Sequence, residues 1–266
     1  MADNTFNRRI FSLDNWLEIN KNSEHAMIQD LLPSEAGEYM FISGRTGIGK
    51  SMLVTHLAFC LATGTPFFHF NCDRVKVGHL AMEGGRNNII DRLTKIMQLY
   101  PRNLWKDNYC FELQQPLQLD KRVDDFKTFF KGCQVVIADN LRQLTTGKYL
   151  ETTYASTWIK TYQQALIDIG AVGILTCHIK KPSTNGLWEA GDVYDLKGAT
   201  EYVDASTSVL LLERTRQGRS NDGRGFGKVD KDKVTLHFAK TRIALRDLEP
   251  LELQRNFDRG SFDVIT

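Results

Sequence analysis

Gly44-Arg45-Thr46-Gly47-Ile48-Gly49-Lys50-Ser51 satisfies G-x-x-x-x-G-K-[ST] in full and follows the apolar run Tyr39-Met40-Phe41-Ile42. An apolar strand, a glycine-rich turn and then a helix is the order that binding of a nucleoside triphosphate requires. The glycines let the backbone curl so that successive N–H groups aim inward at phosphate oxygens. Lys50 is placed to reach the outer phosphates and the Ser51 hydroxyl to ligate Mg²⁺. Met52–Thr63 reads as a helix whose positive N-terminal end faces the anion.

Working outward, strands and helices alternate. Val77–Met82 reads as a strand followed by a helix around Asn87–Leu99. Gln134–Ala138 is a third strand, Thr157–Ile169 a helix, Gly173–Cys177 a fourth strand, Ser206–Leu212 a fifth, and Val234–Ala239 alternates as a late strand. Such alternation predicts an α/β fold: a mostly parallel central sheet flanked by helices. The short connections between the last strands predict an antiparallel C-terminal edge. Residues 1–36, polar with a few apolar anchors, read as an N-terminal arm or docking segment, with Asp14 able to cap a short helix. The ATPase core is expected over 37–266. Lys180–Lys197 and Glu213–Lys233 read as loops.

Five groups of side chains complete the candidate chemistry. Asp139 ends the apolar strand Gln134–Ala138, and downstream of a complete phosphate loop this places a carboxylate beside Ser51 and its Mg²⁺. Glu83 ends the strand before it, at the crevice edge of a parallel sheet, where a carboxylate can polarise the attacking water; a plain surface glutamate before Gly84-Gly85 is the alternative. His178, after Ile174–Cys177, is either structural or a reporter of the γ-phosphate. Lys240 and Arg242, two apart on one strand, project from one face. They are either a solvated basic face or a pair that enters a neighbouring subunit's site. Arg92 either stacks on an adenine face or forms a surface salt bridge.

Composition narrows the class. The 266 residues carry a net charge of +2, with 42% hydrophobic and 25% charged residues, values ordinary for a globular chain. No gross charge bias announces a nucleic-acid or membrane partner, although basic loops can still be concentrated in a channel. The five cysteines, Cys60, Cys72, Cys110, Cys133 and Cys177, include no C-x-x-C pair, so neither a disulfide framework nor a zinc site is expected. Met1-Ala2-Asp3-Asn4 is polar and no run reaches membrane-spanning length; the expected location is the cytoplasm.

With these motifs in order, the chain resembles the RecA-like P-loop ATPases, and most of all the RepA-type hexameric replicative helicases of plasmids and phages, related to the DnaB core. The resemblance runs from about Ile28 to Asp263. It rests on Phe41–Thr55, on His79-Leu80-Ala81-Met82-Glu83 with Asp91-Arg92-Leu93, on Val135-Val136-Ile137-Ala138-Asp139-Asn140-Leu141-Arg142, on Leu175-Thr176-Cys177-His178, on Lys197-Gly198-Ala199 with Val203-Asp204, and on Phe238-Ala239-Lys240-Thr241-Arg242. It implies ATP with Mg²⁺ bound between the subunits of a ring of six, Glu83 as base, Asp139 as the Mg²⁺-associated carboxylate and His178 as phosphate sensor. It further implies Lys240 and Arg242 as trans-acting fingers and Arg92 on adenine. Single-stranded DNA would be gripped by Arg142, Lys148, Lys180, Lys181 and Lys197. No separate primase or collar domain is expected ahead of the core, so loading would fall to the first ~36 residues or a loader or initiation partner.

Three functions fit these residues: a replicative DNA helicase-type motor, a RecA-like recombination or strand-annealing ATPase that binds single-stranded DNA without unwinding, and a nucleotide switch without DNA. The basic pair on the last strand favours the motor.

Overall fold

The computed structural model describes residues 26–113, 117–146, 148–179, 200–216 and 229–265. Tyr39–Gly44 (β3) lies at the heart of a nine-stranded sheet, and all six of its residues are buried. The sheet runs β11-β10-β9-β8-β3-β7-β6-β4-β5. Val77–Ala81 (β4), Tyr109–Leu113 (β5), Val135–Asp139 (β6), Val172–His178 (β7) and Ser208–Arg216 (β8) run parallel to β3 through their neighbours. Val229–Thr241 (β9), Leu251–Asn256 (β10) and Ser261–Val264 (β11) add the antiparallel edge. The expected α/β architecture is therefore the one found.

Both faces of the sheet are covered, which is why its inner strands read as near-continuous apolar runs. Successive side chains go to opposite faces. Met40, Ile42, Val135, Ile137, Leu210 and Leu212 join one core with helix α1 (Lys50–Thr63). Tyr39, Phe41, Val136, Ala138 and Val209 join a second core with Trp158 and Tyr162 of the long helix Thr152–Ile169. Helix α1 is buried almost all round, because it packs on the central strands, on the edge strand β11 and on the helices Arg86–Met97 (α2) and Arg102–Trp105 (α3).

Several boundaries differ from those expected. Residues 26–36 are no free arm: Ala26–Ile28 (β1) pairs with Leu32–Pro33 (β2), and Met27, Ile28, Leu31 and Leu32 are buried in the α1-side core. Those four apolar side chains tie residues 26–36 to the core. Asp14 and the first 25 residues lie outside the described residues. The segment Glu213–Lys233 is not all loop, since Glu213 pairs with Thr235, Arg214 with Val234 and Arg216 with Val229. Strands β5, β10 and β11 were not expected. They lie at the two edges of the sheet, where half-exposed faces dilute the apolar signal. The alternation Leu251-Glu252-Leu253-Gln254 is nevertheless visible, and Leu253 is fully buried. Among the described residues no helix is long and apolar enough to cross a membrane.

His79 is buried in this core and His56 is half-buried against it. The His79 ring is 1% exposed, with Nδ1 2.9 Å from the Tyr109 hydroxyl and Nε2 without a partner among the described residues. His56 lies edge-on to Phe67 and Phe68. Burial pushes both down to about 4. The folded chain thus binds fewer protons than the unfolded one between pH 4 and the unfolded value near 6.5. Stability from these rings is complete above about pH 6.5 and drains away as pH falls towards 4. Lowering pH from 7.5 to 5 is expected to cost on the order of 2 kcal/mol from His79 alone, read as a fall in the thermal midpoint. An unchanged midpoint would contradict a buried neutral His79.

Candidate active site

The C-terminal ends of four adjacent parallel strands meet at one crevice. Gly44 is level with His178 across β3 and β7, and Ala81 is level with Asp139 across β4 and β6, two residues before Glu83. Open parallel sheets bind ligands at this edge. The crevice opens into a cleft of about 550 Å³, a volume suited to a small-molecule ligand. Thr46, Gly47, Gly49, Lys50 and Ser51 form its floor.

The loop geometry fits an anion. Gly47 and Gly49 take φ of 75° and 112°, the left-handed region that glycine enters without penalty. A Cβ on Gly49 would stand 2.7 Å from the Phe262 ring. Helix α1 then starts with no side-chain cap and no acidic residue in its first turn, which leaves its first N–H groups for a ligand. Ile48 plays a different part from the rest of the motif. Its side chain is buried and its amide bonds to the Arg45 carbonyl at 3.3 Å, so it anchors the loop. Gly44 and Arg45 act through their carbonyls, which accept from the Lys50 ammonium at 3.0 and 3.1 Å.

Lys50 also meets His178 Nδ1 at 3.2 Å. An ammonium only donates, so Nδ1 is the acceptor of a neutral ring and the ring proton sits on Nε2. That nitrogen faces Glu83 Oε2 at 3.5 Å. Burial, then the charge of Lys50, holds His178 below its ordinary range, in agreement with a neutral ring. Burial also lowers Lys50, opposed by Asp139 and Glu83. The same Glu83 oxygen accepts from the Asn140 side-chain amide. Asp139, 3% exposed, accepts from the Thr176 hydroxyl.

Arg92 lines the cleft from α2, lowered from its ordinary value by burial, with Asp139 opposing. Beside it, Asp91 and Lys95 pair at 2.8 Å. The opposite wall was not foreseen: it is the β10–β11 hairpin. Arg255 donates to the Gly47 carbonyl at 3.1 Å, approaches Asp232 at 3.4 Å and lies 5.0 Å from the centre of the Phe257 ring. At the hairpin turn, a Cβ on Gly260 would stand 3.1 Å from the Arg92 carbonyl, so hairpin and α2 close together. These residues lie some 200 positions from the loop, and only the antiparallel pairing of β9, β10 and β11 brings them there.

Lys240 and Arg242 are not in this cleft. Both donate to carbonyls at the end of the short helix Thr200–Ala205: Lys240 to Val203 and, at 3.1 Å, to Asp204; Arg242 to Asp204. Burial, then Arg242, pushes the Lys240 amine down to about 8. The two side chains share a face, as their spacing predicts. Arg142 and Lys148 are exposed beyond β6, at the cleft end of the sheet. Lys180, Lys181 and Lys197 lie outside the described residues.

A family model described as an AAA domain matches residues 8–184, and no curated protein matches the chain. Because that match spans more than half of the 266 residues, the chain belongs to the AAA-domain family of P-loop ATPases.

Proposed function

We propose that this ATPase is a replicative helicase-type motor, which hydrolyses ATP between the subunits of a ring, six in the reading from sequence, and moves along single-stranded DNA. The observation that carries the proposal is the position of Lys240 and Arg242. Thr241 pairs with Ser208, which pairs with Met40, whereas Gly44 pairs with Leu212. About 13 Å of strand and two interstrand steps of about 4.8 Å therefore separate this pair from its own phosphate loop. Two basic side chains held together at the end of the strands opposite the phosphate loop suit a second subunit's site.

In this reading the loop amides and Lys50 hold the triphosphate, and Ser51 with Asp139 holds Mg²⁺. The bound ion neutralises phosphate charge. Glu83 orients and deprotonates the attacking water, and His178, touching both Lys50 and Glu83, reports on the outer phosphate. Arg92, with Phe257 across the cleft, takes the base. Arg142 and Lys148 meet DNA phosphates.

ATP-dependent displacement of a strand from a forked DNA duplex tests the proposal. Displacement is the expected result. DNA-stimulated hydrolysis without displacement would move the function to strand annealing, or to a motor that needs a loader. Hydrolysis indifferent to DNA at low salt would leave a nucleotide switch.

A further inference from the structure

Two thiols stand together at the β5 edge of the sheet. Cys110 is on β5, the last strand, and is exposed. Cys133 precedes β6 and is 3% exposed. Between them runs β4, where Gly78 is the register partner of Cys110. A Cβ on Gly78 would stand 3.0 Å from the Cys133 sulfur. That sulfur therefore fills the space which a side chain at 78 would take, on the face that register partners share. From there the Cys133 thiol donates to the Cys110 sulfur.

Packing accounts for only one of the two. A free cysteine behaves as a small apolar group and is among the most buried residue types, which suits Cys133. Cys110 is different: it meets solvent directly, and the group it accepts from is a second thiol. Burial, then the neighbouring Cys110, pushes the Cys133 thiol up to about 11. The buried sulfur therefore stays protonated while the exposed one meets a dissolved oxidant. An exposed cysteine poised next to a second thiol is the arrangement in which a sulfenic acid is resolved as a disulfide. Strand β5 has a neighbour on one side only, so it can give the small shift that a sulfur–sulfur bond needs. The pair shares no residue with the nucleotide cleft.

We propose that Cys110 and Cys133 form a reversible redox site, in which a peroxide oxidises the exposed thiol and the buried thiol resolves it as an intramolecular disulfide. The Cys110 thiolate attacks one peroxide oxygen. The O–O bond breaks, hydroxide leaves and takes up the proton that Cys110 lost, and Cys110 becomes a sulfenic acid. The Cys133 sulfur then displaces the sulfenic hydroxyl, which departs as water with the Cys133 proton, and the S–S bond forms. Two thiols thus lose two electrons to one peroxide, which becomes two waters. A dithiol reductant returns both thiols by exchange. The exposed thiol of a sheet edge then ends in a recoverable state, neither overoxidised to sulfinic acid nor bonded to a second chain.

The test treats the full chain with hydrogen peroxide, alkylates it with N-ethylmaleimide while unfolding it, and digests it without reduction. Mass spectrometry is expected to find a peptide cross-linked through Cys110 and Cys133 that dithiothreitol abolishes, with Cys60 and Cys177 still alkylated. Cys110→Ser is expected to leave Cys133 fully alkylated. Cys133→Ala and Cys133→Ser each remove the resolving sulfur with a different loss of packing. Both are expected to raise the Cys110 sulfenic acid trapped by dimedone about tenfold over the wild type. Wild-type Cys110 found as sulfinic acid, or bonded to a second chain, with Cys133 alkylated overturns the proposal. So does a Cys110 that peroxide leaves fully alkylated. Equal trapping in the wild type and in both Cys133 variants removes Cys133 as the resolving thiol.

Discussion

Lys50→Ala is expected to lose ATP turnover by about 10³-fold, the scale of removing a preorganised charge from a site where phosphate charge is stabilised. Lys50 is 7% exposed, and its ammonium is fixed by the Gly44 and Arg45 carbonyls and the His178 ring. It therefore stands at the helix N-terminus before any ligand arrives and needs little rearrangement to act. Alanine also leaves those two carbonyls without the donor, a cost of about 1–3 kcal/mol that a well-packed core of this size should survive. Steady-state hydrolysis with Mg²⁺ and ATP, beside a thermal melt of the same preparation, checks both. A folded Lys50→Ala chain that turns over ATP at the wild-type rate would move the active site away from this loop.

How much of this was legible in the sequence follows from where each part sits. The parallel strands are buried on both faces, so Tyr39–Ile42 and Val135–Ala138 announce themselves as apolar runs, and the residue at the end of such a run faces the crevice. That rule alone places Asp139, Glu83 and His178, and the structure brings all three to the Lys50 cleft. The rule fails at the edges. Strand β5 and the β10–β11 hairpin bury only part of their surface, so their composition reads as loop, and with them went Arg255, Phe257 and Gly260 as walls of the cleft. Asn140 was quoted within a motif but given no task, because the need for its amide appears only once Glu83, 57 residues upstream, is seen accepting from it. Ile48 shows a complementary case. A consensus position without a fixed residue takes part in the loop through its backbone, and its side chain belongs to the core.

Arg242→Ala is expected to be as damaging as loss of Lys50, by a different route. Under the proposed ring, the guanidinium completes the site of the next subunit, and supplying such a group is worth about 10³-fold or more in turnover. In its own subunit Arg242 is exposed, donates to the Asp204 carbonyl and lies just after β9, at the end of the strands opposite the phosphate loop. Its removal should therefore leave nucleotide affinity near the wild-type value while hydrolysis collapses. Lys50→Ala and Arg242→Ala disable different halves of the same interface. Each is inactive alone, but mixing them in equal amounts should restore activity at about one interface in four, because a heterologous contact pairs an intact loop with an intact neighbour. The measurement is hydrolysis by the mixture after subunit exchange, with assembly followed by light scattering. Wild-type hydrolysis by Arg242→Ala would show that Lys240 and Arg242 are a solvated basic face. A co-assembled mixture with no recovered activity would show that Arg242 does not act across the interface.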